Sequence, residues 1–168
     1  MHSIGEKRLR FCRSTVNWSV ENDWAKIIIS DETKVGIGAD KKMSVWKKDE
    51  RLHPDCVGVV PNKDRNVKFS AMSWGCITYF GVGTLTPFDG SINSEKNISI
   101  LDDNLEPVVA RHFANNPWTL QEDNAPCYVS PQTTAWKTEN GILALPWPSQ
   151  SPDLHIIENV CKSKPNRI

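Results

Sequence analysis

Between Trp24 and Ser30 the chain reads WAKIIIS, and its three consecutive isoleucines constrain the fold more than any other feature. The run is too short for a helix stripe, which needs apolar residues every three to four positions over ten or more. Asp31 and Glu32 close it at once. In a strand, successive side chains point to opposite faces. Ile27, Ile28 and Ile29 therefore require apolar cover above and below, the situation of a central strand in a sheet clothed by helices.

The rest of the chain supplies such cover in an order that can be read. Residues 5–16 suit a short amphipathic helix with Leu9, Phe11 and Cys12 on its apolar side. KVGIGADKKMSVWKK suggests two strands around a turn at 39–42, and VKFSAMSWGCITYF another strand, broken by Gly81 and Gly83 before TLTPF. The period then changes. In NSEKNISILDDNLEPVVARHF, Ile98, Leu101, Leu105, Val108 and Val109 recur at helical spacing, with Asn93 or Ser94 as cap and Pro107 predicting a kink or two pieces. A strand WTLQED follows, then a helix opened by Ser130-Pro131 and closed by Gly141, then a strand ILALPW. PSQSPDLHIIENVCKSK is a proline-rich turn running into a last helix, stopped by Pro165. The fold class is α/β: a mixed sheet, antiparallel strands first and βαβα units after, with helices packed on its faces.

Bulk properties narrow the class of protein. A chain of 168 residues is one domain, or one domain with a short arm. Seven tryptophans serve as large core anchors. Twenty basic and twenty acidic residues cancel, so no nucleic-acid or membrane partner is announced by net charge. Lys7, Arg8, Arg10 and Arg13 lean basic locally and read as a solvated helix face. Five cysteines without a C-x-x-C pair suit reduced thiols rather than a disulfide framework or zinc knuckle. No signal peptide is visible and no apolar run approaches the roughly 20 residues of a membrane span, so an intracellular protein without a membrane partner is expected.

In such a sheet, functional groups collect at the carboxyl ends of the strands. Asp31 follows KIIIS directly and Asp123 follows WTLQE directly. Glu158 lies in the last helix, where Leu154 and Cys161 share its side and Ile157 helps pack it down. Three carboxylates in one place stay ionised together only beside cations, and hard oxygen donors favour Mg²⁺ or Mn²⁺. Two such ions about 4 Å apart serve in-line displacement at phosphorus. The residues alone leave a second reading open, with strand-end aspartates as turn or cap residues and Glu158 as a surface acid. Asp153 reads as a helix N-terminal charge.

WAKIIISDETKV, MSWGCITYFGVGTL, LQEDNAPCYVS and LPWPSQSPDLHIIENV, in that order, resemble the catalytic domain of Tc-one/mariner transposases of the RNase H-like, DDE/D superfamily. The resemblance runs from about residue 5 to residue 161, with thirty-four residues between Asp123 and Glu158. It implies hydrolysis of phosphodiester bonds at terminal inverted repeats and joining of the freed 3′-hydroxyl to target DNA, typically at a TA step. By the same resemblance Asp31, Asp123 and Glu158 are the catalytic carboxylates and the ligands of two Mg²⁺ (or Mn²⁺) ions. Asn124 becomes a turn or supporting residue, with Tyr128 beside it where the family commonly has His. DNA is the implied partner, a homodimer a further one, and the nucleus the implied location.

The family pattern also sets an expected organisation: residues 1–20 a connecting helix or arm, 21–168 the catalytic domain with a shortened last helix, and no upstream helix-turn-helix modules. Departures fall at Glu122 (commonly Gln), His155 and Ile156 (commonly Asn-Pro) and Cys161 (commonly Trp). Two other outcomes compete with an active transposase: a catalytically silent relic that folds and binds DNA or itself weakly, and a generic metal-dependent nuclease. Trp74, Gly75 and Cys76 read as strand core, His53 and His112 as isolated surface residues, and Trp147-Pro148 as the fixer of the last turn. Lys41, Lys42, Lys47 and Lys48 read as a solvated hairpin, with phosphate contact the alternative.

Overall fold

The isoleucine run lies where its pattern requires. The computed structural model describes residues 3–37, 69–114 and 116–162. By its internal contacts the chain divides into one unit of Met1–Thr33 and Met72–Ile168 and a second of Lys34–Ala71. The second unit is described only at its strand residues 34–37 and 69–71, so Lys41, Lys42, Lys47, Lys48, His53 and the expected turn at 39–42 lie outside the described residues.

Among the described residues four strands are formed: β1 (Ile27–Ile37), β2 (Phe69–Thr78), β3 (Gly81–Phe88) and β4 (Thr119–Gln121). Their order in the sheet is β3-β2-β1-β4, with β2 and β3 antiparallel and β1 and β4 parallel. The mixed sheet with its antiparallel part first in sequence is thus present. Helices are α1 (Ile4–Thr15), α2 (Ser94–His112), α3 (Pro126–Val129), α4 (Pro131–Glu139) and α5 (Ile156–Lys162). Among the described residues no helix is long and apolar enough to cross a membrane.

The two-sided demand of the run is met by two separate clusters. Ile28 joins Trp74, Cys76, Leu120 and the α2 residues Ile100, Leu101, Leu105 and Val108 in the larger core. Ile27 and Ile29 point the other way, onto Ile157 of α5, with Trp18, Trp24 and Ile77 around them. Each fully buried aliphatic side chain of this kind contributes about 1.5–3 kcal/mol. Trp74 and Cys76 are core residues, as their strand position requires, and Gly75 is buried between them. Cys12, Cys76 and Cys127 are all free thiols.

Several local expectations are corrected. Pro107 does not divide its helix: α2 runs nineteen residues through it. One backbone bond is forgone there, while Leu105 and Val108 on either side stay buried in the same core. Asn93 caps α2, accepting from the Lys96 N–H at 2.8 Å. Gly81 and Gly83 do not end a strand. Gly81, at φ 140°, opens β3 after the Tyr79-Phe80 turn, and a Cβ on Gly83 would stand 2.4 Å from Cys76 Sγ.

ILALPW forms no strand of its own. Only Ala144 bridges in parallel to Leu120, through Leu120 N–H to Leu143 O and Leu145 N–H to Leu120 O, both 2.8 Å. Pro146 and Pro148 lack the donors that would extend the ladder. On α1, Leu9 and Cys12 are exposed rather than packed. That helix docks through Phe11, whose ring meets Trp147 edge-on at 4.9 Å. His112 is half-buried rather than isolated, stacking on Phe80 at 6.4 Å.

Candidate active site

Strand alternation decides which acids meet. Ile27, Ile29 and Asp31 share one face of β1, while Ile28, Ser30 and Glu32 share the other. The parallel register pairs Ile27 with Thr119 and Ile29 with Gln121. Continued by two residues, it sets Asp31 level with Asp123. β1 itself runs on past Asp31 to Ile37, so Asp31 is not a strand end. It lies instead just beyond the last residue of its parallel partner, because β4 stops at Gln121. Packing of Ile157 onto Ile27 and Ile29 brings α5 to the same face and carries Glu158 with it.

Asp31, Asp123 and Glu158 consequently line one open pocket of about 380 Å³, with His155, Asn124 and Trp147 among its other walls. No lysine or arginine is among the described residues that line it. Asp31 is pushed up to about 6, chiefly by burial and then by repulsion from Glu158, Glu32 and Asp123, against a 2.8 Å bond from the Glu32 N–H. Asp123 is exposed, and its Oδ1 accepts from the Ala125 N–H at 2.8 Å. Both readings of Asp123 therefore hold: it turns the chain after β4 and still presents its carboxylate to the pocket.

Asn124 Nδ2 donates to Trp147 O at 2.9 Å, tying the turn after β4 to the segment that leads into α5. Tyr128 takes a different place. It is buried on the opposite side of the strands, near Glu32, and does not line this pocket. Its hydroxyl titrates far above the usual value, from burial first and then the Glu32 charge.

The Tcb1 transposase of Caenorhabditis briggsae is 28% identical over 165 residues, 96% of this chain and 58% of that protein. The Tc1 transposase of Caenorhabditis elegans is 27% identical over the same share of each. The chain is homologous to the Tc1-type transposases. It spans 58% of the length of these relatives. No family model matches it. Among solved structures, a Mos1 transposase paired-end complex with the left transposon end superposes with a TM-score of 0.67 at 17% identity, covering 93% of this chain and 46% of that one. The Mos1 transposase catalytic domain solved with raltegravir and Mg gives 0.62 at 15% identity, covering 92% and 69%. These likenesses establish the RNase H-like fold.

Within this transposase-like frame, three residues matter that sequence reasoning missed or misread. Arg8, taken for a solvated charge, donates to both oxygens of Asp153 at 2.8 and 2.6 Å, to Ser151 Oγ at 2.9 Å and to Gln150 O at 3.2 Å. Asp153 is therefore an ion-pair partner of α1, and its carboxyl is held below the usual range by Arg8. No local pattern links positions 8 and 153. Lys137 pairs with buried Glu122 and donates to Tyr128 O at 3.2 Å, which explains how an acid is accommodated at position 122. His155 is 3% exposed, and its Nδ1 stands 3.8 Å from Asp31 Oδ2. Burial pushes its imidazole down, against the Glu158 and Asp123 charges.

The donor set fits a divalent cation in kind: three carboxylates on one pocket, one of them pushed up by burial first and then by the neighbouring acids. What the arrangement lacks is convergence. Among the described residues no three histidine, cysteine or carboxylate groups come together closely enough to hold an ion.

Proposed function

We propose that this chain is the catalytic portion of a DDE-type DNA transposase, hydrolysing phosphodiester bonds at the ends of a mobile element and joining the freed 3′-hydroxyl to target DNA. The observation that carries this reading is that Asp31, Asp123 and Glu158, from two adjacent parallel strands and a helix, line one pocket. In this reading those three side chains hold two Mg²⁺ or Mn²⁺ ions. The chemistry such ions supply is activation of an attacking oxygen and neutralisation of the leaving one. Structures of the Mos1 catalytic domain with Mg and with Mn support a divalent requirement.

The chain's own residues do the positioning. β1 and β4 hold Asp31 and Asp123 level, and Ile157 seats the helix that bears Glu158. Asn124 holds the turn after Asp123 against Trp147 O. Asp123 is exposed at the pocket, where a phosphodiester can reach it. Residues 1–20 act as an arm, tied to the pocket wall by Arg8, and residues 21–168 as the catalytic domain. DNA ends with terminal inverted repeats, TA target steps, a homodimeric assembly and a nuclear location complete the proposal, supported by the Tc1 and Mos1 likenesses.

Nicking of supercoiled plasmid DNA in Mg²⁺ or Mn²⁺ tests it beside Asp123→Ala, a surface change that leaves the cores intact. The parent is expected to nick only with a divalent ion, and the variant to fall to background. A parent silent with both ions, or equal nicking by both proteins, would overturn the reading.

A further inference from the structure

The basic residues of α1 divide between two sides of the helix. Over Ile4–Thr15 it carries Lys7, Arg8, Arg10 and Arg13 against a single acid, Glu6, in a chain whose twenty basic and twenty acidic residues cancel. Glu6 is committed to the capping box, accepting from the Ser3 N–H at 2.7 Å. Arg8 is committed to the pocket wall, donating to Gln150 O, Ser151 Oγ and both oxygens of Asp153. With about 3.6 residues to a turn, Arg8 falls beside Phe11 and Thr15, the half-buried side on which α1 docks. Lys7, Arg10 and Arg13, spaced three apart, form a second row away from that side, and all three are exposed. Arg13, in the last turn, suits the helix dipole, but Lys7, in the first half, does not. Helix stability thus accounts for one end of the row and not for its length.

The pocket to which α1 is tied repels DNA by itself. Asp31, Asp123 and Glu158 line it, and no lysine or arginine among the described residues does. A duplex carries about one negative charge per 1.7 Å of its axis, so a strand brought to these acids needs cations close by to hold its flank. The connection from α1 to the rim is short. Gln150 and Ser151, which Arg8 bonds, are lining residues, and Lys7 is the chain neighbour of Arg8. Phe11 on Trp147, another lining residue, fixes the helix at a second point. From Lys7 to Arg13 the row extends about 9 Å, the span of two to three successive phosphates at about 3.4 Å each. Within α1 the exposed aliphatic residues are Ile4 and Leu9, too few for the apolar face with which a helix lies in a lipid surface.

From this arrangement we infer that Lys7, Arg10 and Arg13 form a phosphate-contacting row that holds the flank of a duplex beside the pocket without regard to base sequence. Arg8 and Phe11 are the anchors that fix this row to the rim. The inference rests on DNA being the substrate, as in the reading above, and adds to it a surface that carries the backbone. It depends neither on metal binding nor on cleavage.

The test is binding of a short fluorescent duplex of unrelated sequence to the full chain in EDTA, followed by anisotropy from about 50 to 200 mM salt. Lys7→Gln, Arg10→Gln and Arg13→Gln together should lower the slope of log affinity against log salt by about 2–3. They should weaken binding by about tenfold or more, equally on duplexes of different sequence. Lys7→Gln alone should take about one unit from the slope. The three side chains are exposed and the anchors untouched, so circular dichroism and melting temperature should match the parent's. Arg111→Gln, which removes an exposed cation from the end of α2, should leave the slope where it is. An equal drop per charge there would reduce the effect to net charge and overturn the row. A parent that binds DNA with a slope unmoved by the triple variant would overturn the row and leave the transposase reading standing. A parent that binds no duplex at low salt would overturn both. Binding to anionic lipid vesicles that the triple variant loses, with DNA binding kept, would overturn the row as a DNA surface. Because binding is read in EDTA, silence in the nicking assay leaves the row standing.

Discussion

The same two strands deliver a pair of acids to each face of the sheet, and the two faces treat them in opposite ways. On the larger-core face stand Glu32 and Glu122, and there Lys137 reaches in from α4 to pair with Glu122, with Tyr128 packed alongside. On the α5 face stand Asp31 and Asp123, joined by Glu158, and the pocket they line has no lysine or arginine among its described residues. A buried acid with its own cation is a solved structural problem. Acids gathered without one cost stability, and such clusters persist where they have a ligand to hold. The contrast separates a structural pair from a candidate binding site without reference to any relative.

Breaking the structural face should have the largest effect. Glu122 is pushed up by burial and pulled back by Lys137, the two side chains being 4% and 8% exposed. Lys137→Met leaves that carboxylate buried alone, and a loss of about 3–5 kcal/mol is expected in urea denaturation. Adding Glu122→Gln to Lys137→Met should recover most of it. A small loss from the single variant would mean that the two faces do not differ as argued.

The pocket face should respond in the opposite sense. Burial pushes the folded Asp31 carboxyl up to about 6 from its ordinary value of 3.8, so between those values the folded chain holds the proton more tightly than the unfolded one. Its contribution to stability is therefore full below pH 4 and is lost as pH rises through 6. The rise corresponds to ~3 kcal/mol before screening by the solvent in the open pocket, which lowers the expected effect to about 1–2 kcal/mol. Asp31→Asn should be more stable than the parent at pH 7 by that amount and equal to it near pH 4. Saturating Mn²⁺ should raise the parent's melting temperature and leave the variant's unchanged. A variant less stable than the parent at pH 7 would show that Asp31 is already compensated.

What could be read in advance follows from the range of the interactions involved. The three isoleucines announced a strand covered on both faces, and the two clusters that receive Ile28 on one side and Ile27 and Ile29 on the other bear this out. Caps at Asn93 and Ser130 and the stop at Gly141 were legible because they depend on neighbours a few residues away. Asp31, Asp123 and Glu158 were singled out from strand ends and helix spacing, and they do line one pocket. The failures were of two kinds. Local propensity misleads at Pro107, where core packing keeps one helix, and at ILALPW, where the missing proline donors prevent the strand that its apolar run suggests. Arg8–Asp153, Glu122–Lys137 and the Asp31–His155 approach join residues far apart in sequence, and no periodicity encodes them.

The smallest expected effect tests how the turn after β4 and the α5 side are coupled. Asn124 Nδ2 to Trp147 O joins the turn after Asp123 to the segment bearing His155 and leading to Glu158. Trp147 is itself packed against Phe11 and lies beside His155, so this one bond ties the Asp123 turn to the segment that leads into α5 and Glu158. Asn124→Ala removes a single partly buried hydrogen bond, and a loss of about 0.5–1 kcal/mol is expected by thermal denaturation. Its effect on Mn²⁺ affinity should be the larger one, about tenfold, because a donor set that does not yet converge depends on whatever holds its two halves in register. Stability and affinity falling together by the same small factor would reduce Asn124 to a turn residue. A drop in affinity beyond the stability loss would make it the strut between the two sides of the pocket.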